Sequence, residues 1–227
     1  MSDASSSTEQ IFVDIFQNNT WKSSESVSGA GSELVNTRHL IRELPVLLRD
    51  YRVTSMLDSP CGDFNWMQHV NLQGIDYTGA DIVPSLIEAN QRFAQPGRRF
   101  ICRDILKDPL PKVDLILCRD CLFHFSHADV FRALRQFVAS GSHWLLTTTF
   151  VFQSYPRNAN IPTGSWTPLN LQLAPYFLPP ARQLLVEGNV SESIHYGAGE
   201  VVPQMDRCLG LWLLQDVRDA LRRVGQL

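Results

Sequence analysis

The spacing of apolar and polar positions changes along the chain, and the changes mark out its elements. From Val53 to Phe150 short apolar runs alternate with segments of helical period. Val53, Met56 and Leu57 make a run that ends at Asp58, and a second run ends at Tyr77-Thr78-Gly79-Ala80-Asp81. Arg99–Arg103 ends at Asp104, Val113–Cys118 leads into Asp120, and Trp144–Phe150 follows as a fifth run. Between them, Pro84 opens a helix that runs through Ser85-Leu86-Ile87-Glu88-Ala89-Asn90. Ser126-His127-Ala128-Asp129 has the spacing of a capping box. The helix it opens carries Val130, Phe131, Leu134, Phe137 and Val138 on one side, and Gly141 closes it. Strand and helix in regular alternation predict an α/β fold, a parallel sheet covered on both faces.

Outside this core the rhythm differs. Residues 1–8 are polar and predicted to be disordered. Ile11–Phe16 suits a short apolar helix that Asn18-Asn19-Thr20 breaks before Trp21. The small, polar stretch Ser23–Ser32 suits either a linker or a lid, and its position between apolar helices favours the lid. Thr37 is an expected N-cap for a helix bearing Leu40, Ile41, Leu44, Leu47 and Leu48, which Pro45 should kink or restart. Residues 9–50 are thus expected to be an N-terminal helical lid on a single domain spanning 9–227. After Phe150 the period lapses. Residues 151–182 hold many Pro, Asn and Gly, yet Trp166, Leu169, Leu171, Tyr176 and Phe177 are too apolar for disorder. A structured substrate loop is expected there. Leu184–Glu187 and Leu209–Leu214 are expected as the last strands, and Asp216–Val224 as a short amphipathic helix.

Composition narrows the partners. The 227 residues carry 20 basic and 23 acidic side chains, a net charge of −3, with no basic block. That argues against a nucleic-acid partner. No apolar run is long enough to span a membrane. Five cysteines, an odd number, suit reduced thiols and a cytoplasmic location better than a disulfide frame. Cys118-x-x-Cys121 has zinc or redox spacing, but no second such pair exists and Cys118 is explained as the last buried residue of a strand. No metal site is expected.

The chemistry concentrates where the apolar runs end. Asp58 opens the turn Ser59-Pro60-Cys61-Gly62-Asp63-Phe64-Asn65-Trp66, and Asp81 stands 23 residues after Asp58. A carboxylate at roughly that distance is where a nucleotide-binding α/β fold contacts ribose hydroxyls. With Asp104 and the run before Asp120, the pattern resembles the class I methyltransferases that use S-adenosylmethionine (SAM). Their usual turn is acid-x-Gly-x-Gly-x-Gly. Here Pro60 stands in place of the first glycine and Phe64 in place of the third. Pro60-Cys61-Gly62-Asp63-Phe64-Asn65-Trp66-Met67, Gly79–Pro84, Cys118–His124 and Pro168–Gln172 resemble a small bacterial subgroup of that family. An acid is common in the subgroup where this chain has Asn160, and a base where it has Thr167, so a substrate is not carried over.

The resemblance implies a Rossmann-like seven-stranded sheet in the order 3-2-1-4-5-7-6, its last strand antiparallel. It implies SAM as cofactor, held by Asp58, Pro60, Gly62, Asp63, Trp66, Asp81, Ile82, Asp104, Ile105, Cys118 and Arg119. Within that set Asp81 would take the ribose, Asp104 the adenine amino group and Asp63 the methionyl amine, with Arg38 or Arg119 for the carboxylate. The expected activity is methyl transfer to O or N of a small molecule or a glycan. Asp120 and His124 are the candidate catalytic residues, His124 because its ordinary pKa suits general-base work. For Asp120 an ion pair with a neighbouring arginine or the cofactor amine is an equal alternative. Trp21, Trp166, Asn170 and Tyr176 are the candidate acceptor contacts. Two other uses of such a site remain open: cyclisation of SAM to azetidine-2-carboxylate and methylthioadenosine, and SAM binding without turnover. A monomer or a homodimer is expected.

Overall fold

The structure is a computed structural model that describes residues 7–151, 157–187 and 207–227, together with the backbone of the short strands Ser193–His195 and Val201–Pro203. The strands in chain order are β1 (Ser55–Asp58), β2 (Asp76–Asp81), β3 (Arg98–Cys102), β4 (Leu115–Cys118), β5 (Trp144–Phe150), β6 (Gln183–Val186), β7 (Ser193–His195), β8 (Val201–Pro203) and β9 (Arg207–Leu213). The helices are α1 (Thr8–Gln17), α2 (Leu34–Asp50), α3 (Pro84–Asn90), α4 (His127–Ala139) and α5 (Leu214–Arg223). Seven strands form one sheet in the order β3-β2-β1-β4-β5-β9-β6, and β7 and β8 pair separately. β1 to β5 run parallel, and β9 lies antiparallel between β5 and β6. With β9 as the seventh strand, this is the expected order.

The two faces of the sheet follow from the alternation of side chains along each strand. Leu57, Ile116 and Leu145 join a core layer with Leu134 and Phe137 of α4 and Val217 and Leu221 of α5. Met56, Leu115, Leu117 and Leu146 point the other way, against Leu40, Leu44 and Leu47 of α2. The central strands are therefore buried on both sides, as continuous apolar runs require. Ser126 caps α4 by accepting from Asp129 N at 3.2 Å, as the capping-box spacing predicts.

Several local expectations need correction. Ser7 and Thr8 are not tail: Ser7 caps α1, its Oγ accepting from Gln10 N at 3.2 Å, and Thr8 opens the helix. The rest of the predicted disordered tail, residues 1–6, lies outside the described residues. α2 begins at Leu34 with Glu33 as its N-cap, so Thr37 sits inside the first turns. Its hydroxyl donates to Glu33 O at 2.9 Å, the back-bond a threonine makes within a helix. Pro45 does not restart α2, which runs unbroken over 17 residues.

The turn after β1 shows why one glycine is enough. Gly62 has φ +55, and a Cβ there would lie 2.2 Å from Ser28 Oγ. Phe64, where a third glycine is usual, also has φ +59. Its ring nevertheless points inward, is 1% exposed, and meets Tyr77 and Phe100 edge to face at 5.4 and 5.1 Å. Burial of an aromatic ring, worth a few kcal/mol, offsets roughly 1–2 kcal/mol of left-handed backbone. The turn is tied to its neighbours by Ser59 N to Leu117 O, Cys61 N to Ala80 O, and Asn90 Nδ2 to Gly62 O at 2.9, 2.8 and 2.7 Å.

Candidate functional site

Parallel register brings the carboxyl ends of β1, β2 and β4 together: Asp58 pairs with Gly79 and Leu117. A cavity opens there, where open α/β sheets bind ligands. Its floor includes Asp58, Pro60, Gly62, Asp63, Trp66, Asp81, Ile82, Asp104, Ile105, Arg119, Asp120 and His124. Phe12, Phe16, Trp21, Val27, Ser28 and Ser32 form its roof. Every residue expected to bind the cofactor except Cys118 and Arg38 thus borders one cavity. Cys118 is fully buried in the layer under α4, and its carbonyl accepts from Thr147 Oγ1 at 2.7 Å. The cysteine on the cavity is Cys121. Arg38 is an exposed residue of α2.

Two carboxylates on the floor are deeply buried. Asp81 Oδ2 accepts from Gly62 N and Oδ1 from Val83 N, both at 3.1 Å. Burial nevertheless dominates and pushes its pKa up to about 6. Asp58 accepts from the Tyr77 hydroxyl at 2.6 Å, and burial raises it to about 7 against that bond and the nearby Arg119. Asp63 is occupied differently. Its carboxylate accepts from Ser26 Oγ, Val27 N and Ser28 Oγ at 3.0, 3.0 and 3.2 Å. Asn65 Nδ2 adds bonds to Glu25 Oε1 and Ser32 O at 2.8 and 3.1 Å. The Ser23–Ser32 stretch is therefore fastened onto the turn after β1, through the hydroxyls that gave it a linker-like composition.

Asp120 has φ +51, the left-handed region, and its backbone N donates to Thr148 Oγ1 at 2.9 Å. Its Oδ2 lies 2.7 Å from Arg207 and 3.3 Å from Arg119. Both arginines also bind Glu187 Oε2 at 2.6 Å. Arg119 Nη2 donates to Gly31 O at 2.7 Å as well, and its guanidinium lies 5.3 Å from the centre of the Trp66 ring. Asp120 is thus held by two cations, which lower its pKa despite burial. Sequence reasoning did not reach Glu187 or Arg207 as site residues. Each follows or opens a strand far along the chain, and the only available signal was a charged residue at the end of an apolar run.

His124 is 8% exposed, and burial lowers its pKa. Its Nδ1 lies 2.8 Å from Ser165 O, and its ring stacks on Trp21 at 5.2 Å and 29°. The acceptor contacts expected from the 151–182 loop lie away from this cavity. None of the described residues 157–187 borders the cavity. Trp166 packs edge to face on Phe123 and Phe150 at 6.3 and 6.4 Å. Asn170 closes the loop on itself: its N donates to Asn158 Oδ1, and its Oδ1 accepts from Gln172 N, at 2.8 and 2.9 Å. Tyr176 is fully buried against Phe131 and His127, since the loop's apolar residues fill the layer over α4. Of the four expected acceptor contacts, only Trp21 borders the cavity. Residues 152–156 of the loop lie outside the described residues.

Residues 56–141, a stretch shorter than half the chain, match the family model of a methyltransferase domain. Among solved structures, the methyltransferase domain of bacterial CtHen1 is similar at 11% identity, covering 78% of this chain and 99% of that one, with a TM-score of 0.55. TehB from Haemophilus influenzae is similar at 14% identity, covering 74% and 60%, with a TM-score of 0.51. A S-adenosylmethionine-dependent methyltransferase from Clostridium acetobutylicum has 18% identity, 51% coverage of each chain and a TM-score of 0.44, so this chain spans about half its length. No curated protein matches the chain. The sheet order and the first two likenesses identify the fold as the Rossmann-like methyltransferase fold. Among the described residues no helix is long and apolar enough to cross a membrane.

Proposed function

We propose that the chain is a SAM-dependent methyltransferase acting on an O–H or N–H group of a small molecule or glycan. The observation that carries this reading is one cavity that joins the buried carboxylate of Asp81, beside Gly62, to the imidazole of His124. The donor set suits the cofactor. A carboxylate offers about four acceptor positions, so Asp81, held by backbone N–H groups of its own turn and of Gly62, can still accept from a ribose hydroxyl. Ile82, Val83, Leu86 and Ile105 give an apolar wall for a flat base, with Asp104 beside it. Asp58 and Asp63 favour a cationic ligand. When bound, SAM supplies a methyl group on an electrophilic sulfonium.

The chain's own residues then have separate tasks. The turn at Gly62 and the carboxylate of Asp81 orient the nucleoside. The Ser26–Ser28 contacts to Asp63 close the roof and exclude water. His124, largely neutral near pH 7 because burial disfavours its cation, accepts the proton that the nucleophile loses. Asp120, committed to Arg119 and Arg207, fixes the floor near His124 and takes no proton itself.

Calorimetry with S-adenosylhomocysteine tests the cofactor assignment. Asp81→Ala should weaken binding by roughly 2–3 kcal/mol, the scale of lost hydrogen bonds to a charged group. Unchanged affinity in a folded variant would remove the assignment. Incubation with SAM alone, followed by mass spectrometry, separates methyl transfer from cyclisation. Methylthioadenosine above the non-enzymatic background would indicate the cyclase.

A further inference from the structure

We infer that the backbone of residues 163–167 holds His124 as its Nδ1–H tautomer, with Trp21 as the positioning residue that keeps the ring in place, so that Nε2 presents its lone pair to the cavity. This rests on the reading of His124 as the proton acceptor, and it gives the irregular loop after β5 a task other than touching the acceptor.

The contact that sets the tautomer is His124 Nδ1 to Ser165 O, 2.8 Å. A carbonyl oxygen only accepts, so Nδ1 must carry the proton, and in a neutral imidazole the lone pair is then on Nε2. No partner for Nε2 is present among the described residues, while His124 itself borders the cavity. The Ser165 carbonyl is not placed by chance. The chain on either side of it is bonded to the segment that carries the histidine: Gly164 N donates to His124 O at 2.8 Å and Thr167 N to Phe123 O at 3.1 Å. Ser126 N donates to Thr163 Oγ1 at 3.0 Å, just beyond the histidine. These three bonds tie residues 163–167 as a strap to the segment that carries the histidine and hold the Ser165 carbonyl beside Nδ1. Gly164 itself has φ +96, and a Cβ there would lie 2.6 Å from Ile11 Cγ2, so α1 presses the strap down from above.

Trp21 holds the opposite side. Its ring lies over the imidazole at 5.2 Å, and Phe123 meets the imidazole at 4.5 Å. Two aromatic side chains pack on the ring, and a flip of the ring would exchange the Nδ1–Ser165 O bond for a C–H contact. The charged group that faces it is Asp120, itself bound to Arg119 and Arg207, and the other groups against it, Trp21, Phe123 and the Ser165 carbonyl, are neutral.

The test is nitrogen-15 NMR of the histidine rings in the full chain without cofactor, using His124→Gln to assign the signal. The expected result at pH 7 is a neutral ring with its proton on Nδ1, and a titration midpoint below 6.5. Trp21→Phe should keep that pattern. Trp21→Ala admits water to the ring and should move the midpoint up toward 6.5. A proton on Nε2, or an imidazolium at pH 7, in the unsubstituted protein would overturn the inference even if the alanine variant failed to fold. An unmoved midpoint in folded Trp21→Ala would remove the role given to Trp21. The tautomer is read without cofactor, so these results are independent of whether the chain binds SAM.

Discussion

Asp58 and Asp81 stand side by side at the ends of β1 and β2, and burial raises both, so they act alike on stability, while a ligand held by Asp81 responds to pH in the other direction. Burial raises Asp58 to about 7, so near pH 5 the folded state holds a proton that the unfolded chain, at an ordinary carboxylate pKa, has released. The folded state then binds more protons than the unfolded state, and stability falls as pH rises. The loss from this group begins above the unfolded pKa near 4 and is complete above about 7, at most roughly 4 kcal/mol at about 1.4 kcal/mol per unit. Asp58→Asn keeps an acceptor for the Tyr77 hydroxyl and removes the charge. Thermal melts of the apoprotein between pH 5 and 8 should show a decline that the variant makes shallower, most clearly above pH 6 where Asp81 is already ionised, and parallel curves would refute the account. Asp81, raised to about 6, has the opposite sign for ligand binding. Ribose hydroxyls donate best to the ionised carboxylate. Affinity for S-adenosylhomocysteine should therefore rise as pH passes through about 6, and the rise should vanish in Asp81→Asn.

Among the elements, the turn after β1 decides how the N-terminal segment sits. Gly62 has a conformation that costs an L-residue about 1–2 kcal/mol, and Ser28 Oγ occupies the space a side chain would need. Gly62→Ala should therefore do more than strain the turn. It should push residues 26–28 off Asp63, seen as faster proteolytic cleavage between Ser23 and Ser32 and a lower Tm. A variant that melts lower but is cleaved no faster would separate the strain from the fastening. Such a fastening could not be read from the sequence. The strands could, because Met56, Leu115 and Leu146 repeat a pattern that sheet burial imposes on each strand alone. Asp58, Gly62 and Asp81 were legible because their spacing along the chain reflects one local crossover. Ser26, Ser28 and Glu25 carry no such periodicity: their partners, Asp63 and Asn65, lie more than 30 residues away, and only tertiary structure pairs them. The placement of the loop after β5 was not legible for the same reason. Aromatic residues such as Trp166 and Tyr176 look alike in sequence as pocket and as core; Tyr176 is buried against Phe131 of α4, and Trp166 packs on Phe123 and Phe150.

At the scale of the molecule, four charged side chains among the described residues meet at the carboxyl edge of the sheet. Arg119 and Asp120 follow β4, Glu187 follows β6, Arg207 opens β9, and the Gly31 carbonyl brings in the N-terminal segment. Two cations and two anions cancel, and the side chains of Arg119, Glu187 and Arg207 are each under 5% exposed. Such a group is held by its completeness. Burying the charges costs several kcal/mol per ion, and their mutual bonds recover it only while every partner is present. Glu187 is the member whose loss should matter most, because its Oε2 serves Arg119 and Arg207 together. Glu187→Gln removes the anion that both buried guanidinium groups share. Urea denaturation should show a loss of roughly 3–5 kcal/mol, the range for breaking a buried ion pair from one side. The same variant should loosen Gly31, because Arg119 is no longer fixed from behind, and amide hydrogen exchange around residues 29–33 should quicken at urea concentrations where the sheet is intact. A loss below about 1 kcal/mol, the range of solvent-exposed ion pairs, would mean that water reaches the cluster and that the N-terminal segment is held by the Asp63 and Asn65 contacts rather than by Arg119.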